Sequence, residues 1–202
     1  MEISAYLWVK NSVYLLAIME NMYNDIWSQF LSALKSSVES ENLDVLSSAW
    51  ESVTNRTSYY KENLFPKISS CLGLEYTNKE FLTIDAAFYK RGSGNYPVPI
   101  VLIESENNAS TTENEVYKLC FFNAPLKVLF ICCDWDENIK LQFTKDYWDF
   151  ILNDFTEVNK LAGVFAVIIA QWDENGLRFN SFAYGENGLP LNLQDEVFCL
   201  YK

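Results

Sequence analysis

The segment Leu161 to Trp172 is apolar at almost every position and ends on Asp173-Glu-Asn-Gly176, a turn signal. A strand without polar alternation has no face to offer water, so it must be covered on both sides. Leu126 to Cys133 has the same character. Two such strands require a sheet with a layer of structure above it and another below. In a 202-residue chain with 50% hydrophobic residues, there is enough apolar surface to build both layers within one domain, residues 1–202.

The rest of the chain supplies those layers. From Ser12 to Val38 the apolar residues Leu15, Ile18, Met22, Ile26, Phe30, Ala33 and Leu34 recur every three or four positions, the period of a helix buried on one face. Further helices are predicted over Asn42–Val53 and from Thr57 towards Cys71, the latter kinked or restarted at Pro66 and ended by Gly73. The pattern then turns to strands at Leu74–Thr77, Phe81–Lys90 and Val98–Glu106, with Arg91 to Pro97 as the turn of a hairpin. A helix over Ser110–Phe122, the strand Leu126–Cys133, an amphipathic helix over Leu141–Val158, and a hairpin from Leu161 to Tyr184 complete the order. The expected fold is α/β (α+β), a mixed central sheet flanked by helices. Residues 1–56 form a helical extension on a 57–185 core, and 186–202 form a tail.

Charge and composition narrow the function. The net charge is −12, and residues 102–202 carry −9 of it. A chain this acidic does not grip nucleic acid by a broad basic face and is repelled by anionic lipid. The chain contains no histidine. That removes Ser-His and Cys-His nucleophile systems, imidazole metal sites and histidine pH switches together. Five cysteines, odd in number and in apolar contexts without a CxxC spacing, read as reduced core residues. With no secretory pattern at the N-terminus, a cytoplasmic location is expected.

What chemistry remains must run on carboxylates, Lys, Tyr, Ser or Cys. In the strand Val98–Glu106, strict alternation places Val98, Ile100, Leu102, Glu104 and Glu106 on one face. Two carboxylates roughly 7 Å apart thus continue an apolar surface. They repel each other and lose hydration there unless a cation lies between them. Asp85 on the preceding strand approaches Glu104 if the hairpin closes. Three acids on two strands suit a hard divalent cation such as Mg2+ or Mn2+. The plain alternative is a strand end emerging into solvent, where acids are ordinary.

At these residues the chain resembles the PD-(D/E)xK nuclease superfamily. The resemblance rests on Asp85, then Ile-Glu104-Ser-Glu106 at the end of the next strand, followed by a helix and an apolar strand. It spans the order αβββαβ from about Thr57 to Cys133 and implies a restriction endonuclease-like core. It further implies that Asp85 and Glu104 hold Mg2+ in a nuclease that hydrolyses phosphodiester bonds. The family's usual lysine is replaced by Glu106, an E-x-E variant in which Glu106 binds a second metal or acts as general base. Lys118 on the following helix is then the candidate for a displaced lysine, and Glu62 for an additional acid from the preceding helix.

Two functions remain in view. One is a metal-dependent endonuclease, whose acidity implies help from a partner chain in holding nucleic acid. The other is a catalytically inactive relative, an acidic binding, inhibitory or regulatory subunit with a basic protein partner. Neither implies a membrane. Lys79, Lys90 and Arg91 near the hairpin are candidates for phosphate contacts, and Trp135 and Trp172, beside acids at strand ends, for a partner-binding rim.

Overall fold

A computed structural model describes residues 25–79, 83–191 and 196–201. Helix α1 covers 25–39 and buries Trp27, Phe30, Ala33, Leu34 and Val38, continuing the three-and-four spacing of the sequence. The earlier positions of that stripe, Leu15, Ile18 and Met22, lie outside the described residues. Helix α2 (Leu43–Trp50) starts at Asn42, whose side-chain oxygen accepts a hydrogen bond from Asp44 N at 2.8 Å. Helix α3 (Val53–Tyr59) runs through a π turn (Tyr60–Leu64) into α4 (Phe65–Cys71). Pro66 has no N–H for an i→i−4 bond, and the expected kink takes the form of this wider turn just before it. Gly73, at φ 64°, ends the helix: its N–H bonds Ser70 O, and Leu74 N bonds Ser69 O.

Seven strands follow: β1 (Glu75–Thr77), β2 (Ala86–Arg91), β3 (Pro97–Glu106), β4 (Leu126–Cys132), β5 (Val164–Asp173), β6 (Gly176–Tyr184) and β7 (Glu196–Tyr201). They lie side by side in chain order in one mixed sheet. Strands β1 to β3 form an antiparallel meander, β3 to β5 are parallel, and β6 and β7 return antiparallel. The parallel steps need crossovers, which α5 (Glu113–Phe121) supplies before β4. Before β5 they come from α6 (Glu137–Leu141), a π turn (Gln142–Tyr147) and α7 (Trp148–Val158). The expected mixed α/β class is present. Residues 186–202, expected as a tail, instead contain the seventh strand. Its Phe198 stacks on Phe179 with ring centroids 4.8 Å apart, a short pairing segment hidden in the sequence behind polar residues.

Both faces of the sheet are covered. On one, α1 to α4 pack on Phe88, Val101, Ile103, Val128, Phe130, Ile168 and Phe179. On the other, α5 and α7 pack on Leu102, Leu129, Ile131, Val167 and Ile169. All seven residues of β4 are buried, the consequence of its near-continuous apolarity. One expectation is corrected in β3. A bulge pairs Phe88 with Val101 but Tyr89 with Pro99, so Ile100 packs with Val101 and Ile103 rather than with Leu102. Strict alternation holds only from Val101 onward, which is the part that carries the acids.

Candidate active site

The carboxyl end of β3 brings the acids of the motif close to the chain entering β2. Asp85 precedes Ala86, whose partner is Ile103, so continuing the register sets Asp85 opposite Glu104. The Asp85 carboxylate accepts the Ser105 N–H at 3.1 Å and meets Lys61 Nζ at 3.0 Å. Glu104, 3% exposed, is bound by Lys118 Nζ at 2.7 Å, and the same ammonium donates to Thr83 O at 3.1 Å. Thr83 has φ 70°, a left-handed conformation rare for a β-branched residue, so the Lys118 bond fastens a strained turn directly beside the acids.

The charges are only partly balanced. Glu106 is half-buried and has no ion pair among the described residues. Glu115, on α5 one turn before Lys118, buries one carboxylate oxygen without a hydrogen-bond partner. Four carboxylates thus face two ammoniums, Lys61 and Lys118. Burial raises Glu104 to about 7; the hydrogen bond and charge of Lys118 oppose this, and Asp85 and Glu115 add to it. Burial also raises Glu106, reinforced by Glu115 and Asp85. Desolvation would lower Lys118, but its hydrogen bond to Glu104 together with the charges of Glu104, Glu115 and Asp85 raises it on balance.

The sequence-derived residues divide as follows. Asp85, Glu104 and Lys118 come together, with Glu106 beside them. Glu62 is exposed on the π turn and makes no bond to the other acids among the described residues, whereas its neighbour Lys61 does. Arg91 pairs with Glu75 at 3.1 Å at the turn end of the hairpin, roughly 20 Å along β3 from the acids. Trp135 is half-buried, stacks on Trp148 at 6.0 Å and contacts Phe143 and Phe182. Lys61 and Glu115 escaped the sequence analysis. For Glu115 the i,i+3 spacing to Lys118 on a helix was an available signal; for Lys61, twenty-four residues from Asp85, nothing local was.

The donors suit a hard cation in kind, being carboxylate oxygens with no sulfur or imidazole. They also suit one in charge, since the two uncompensated negatives and the orphaned Glu115 oxygen match a divalent ion. Their arrangement is that of an ion-paired state: among the described residues no three of His, Cys, Asp or Glu are grouped to hold a metal. Binding a cation therefore requires Asp85 and Glu104 to exchange their lysine contacts for it. No protein-family model matches the chain, and no curated protein sequence matches it. No helix among the described residues is long and apolar enough to cross a membrane.

Proposed function

We propose that this protein is a divalent-metal-dependent nuclease with a restriction endonuclease-like core, hydrolysing phosphodiester bonds of nucleic acid. The observation that carries the reading is the meeting of Asp85, Glu104 and Lys118. The first comes from just before one strand, the second from the end of the next, and the third from the helix that follows. The element order supports it, since an antiparallel three-strand meander is followed by a helix and a parallel strand. Asp85 and Glu104 would hold Mg2+ or Mn2+, which when bound polarises a phosphate and acidifies its water. Glu106, raised by burial and by the neighbouring charges of Glu115 and Asp85, is suited to accept the proton of the attacking water. Lys118 keeps Glu104 oriented and is suited to orient that water.

Thermal melting with Mg2+ or Mn2+ tests this directly. A cation at tenfold excess over its Kd adds about 1.4 kcal/mol, or about 3–6 °C for a chain of this size. Asp85→Asn, compared with its own metal-free melting temperature, loses the shift and any cleavage of DNA or RNA. Protons compete for Glu104, which is protonated below about 7 and ionised above it, so the metal shift grows from pH 6 to pH 8. No response at millimolar metal refutes the reading. The second reading, a non-catalytic acidic subunit, is favoured by one observation: Asp85 and Glu104 already hold lysines. It expects no metal response and recovery of a basic protein partner.

A further inference from the structure

One residue beyond Glu106, the carboxyl ends of the three parallel strands open onto a cavity of about 460 Å3, lined by Trp50, Arg56, Asn107, Cys133, Gln171 and Trp172 among others. This volume lies within the roughly 300–1,000 Å3 of small-ligand sites, and the carboxyl ends of parallel strands are where open α/β sheets place ligands. We propose that the cavity binds one nucleoside 5′-phosphate unit, with its phosphate on Arg56 and its base against the indoles of Trp50 and Trp172. The proposal rests on the nuclease reading for its biological sense, since it locates the substrate strand next to the acids, but the binding it describes requires no metal.

Arg56 carries the argument. Its Nε donates to Asn107 Oδ1 at 3.1 Å, and Asn107 in turn donates from Nδ2 to Thr57 Oγ1 at 3.4 Å, so the guanidinium plane is held from behind. No carboxylate pairs with Arg56 among the described residues, and neither of its terminal nitrogens donates a hydrogen bond there. A half-buried, oriented guanidinium with its fork unused is matched by the paired oxygens of a phosphate, where charge assists both hydrogen bonds. The cavity's one carboxylate, Asp134, is solvent-exposed, so water screens it more than the partly buried arginine.

The walls select what accompanies the phosphate. Trp50 and Trp172 lie 5.8 Å apart at 31°, both half-buried, and present indole surface to the cavity. Bases stack on such surfaces irrespective of sequence. The Gln171 amide makes no hydrogen bond among the described residues and offers a donor and an acceptor to a base edge. A cation, a planar apolar surface and side-chain amides in a single cavity describe a nucleotide better than an inorganic anion or a peptide. In an acidic molecule this cavity is a local exception that meets one phosphate.

Tryptophan fluorescence in EDTA tests the proposal apart from the metal chemistry. The wild-type chain is titrated with AMP and with an eight-nucleotide oligo-dT. Saturable quenching by either, weakened about tenfold or more in Arg56→Gln and partly kept in Arg56→Lys, is the expected result. Response to both ligands marks a site for free nucleotides as well as strands, and response to the oligonucleotide alone marks a strand site. No quenching at millimolar AMP and oligonucleotide overturns the proposal even if Mg2+ supports cleavage. So does binding that survives Arg56→Gln undiminished. Quenching without any metal response retains the cavity and refutes the nuclease instead. Matching circular dichroism spectra establish that the variants are folded.

Discussion

A fully buried ammonium carries a heavy desolvation cost in this protein. Lys127, in the middle of the sheet on β4, is 0% exposed, and its Nζ has no hydrogen-bond partner among the described residues. Burial lowers its pKa to about 8, against weak opposition from Cys120 and Glu186. The unfolded chain binds this proton up to about pH 10.4, so between about 8 and 10.4 the unfolded state carries more protons than the folded one. Stability therefore rises with pH across that window, and the full cost, on the order of 3 kcal/mol, is present at pH 7. Lys127→Met keeps the length of the side chain and removes the charge. It should raise the melting temperature at pH 7 by several degrees, with the gain shrinking towards pH 10. A gain equal at both pH values would show that packing, not protonation, is responsible. The sequence gives no sign of this residue's burden, because a lysine in an apolar strand looks the same whether its head reaches water or not.

At the scale of elements, two glycines with the same backbone separate conformation from space. Gly73 has φ 64° and no atom within 4 Å of where a Cβ would lie, so Gly73→Ala meets only the left-handed penalty, about 1–2 kcal/mol. Gly163 has φ 72°, and a Cβ there would lie 2.3 Å from Pro125 O and 2.5 Å from Ala124 O. Both obstacles are backbone, and Val164 N bonds Pro125 O at 2.9 Å to start the β4–β5 pairing. Gly163→Ala must therefore displace the first rung of the central parallel pair, and it should cost at least about 2 kcal/mol more than Gly73→Ala in urea unfolding. Equal costs would refute this account of Gly163. Gly73 was legible as a helix stop, since it follows the last periodic residue. The role of Gly163 was not, because its obstacle comes from a segment about forty residues away. The β3 bulge lies between these cases: Pro99, inside the expected strand Val98–Glu106, was a signal that the ladder breaks there.

Across the whole molecule, the strand period and the turn chemistry located Asp85, Glu104 and Glu106, since those patterns act over a few residues. The lysines and the arginine that complete the site arrive from helices through tertiary packing, which no local pattern encodes. The same limit applies to the N-terminal helices. In sequence they look like an extension, yet α1 and α2 form part of one entire layer of the core. Phe30 is 0% exposed and stacks on Phe88 of β2 at 6.2 Å, while Leu34, Val38 and Leu46 are equally buried against the same cluster. If this layer belongs to one cooperative unit, Phe30→Ala should destabilise the sheet as much as the helix, by about 3–5 kcal/mol. Urea unfolding followed by far-ultraviolet circular dichroism and by tryptophan fluorescence should then give one coincident transition, shifted to a lower midpoint with its slope unchanged. An extension that merely rests on an independent core predicts two transitions instead, with only the first moved by the substitution. The covering of the sheet decides between them: without α1, Phe88 loses its stacking with Phe30 and that part of the face is uncovered. A sheet apolar on both sides does not remain folded with one side bare.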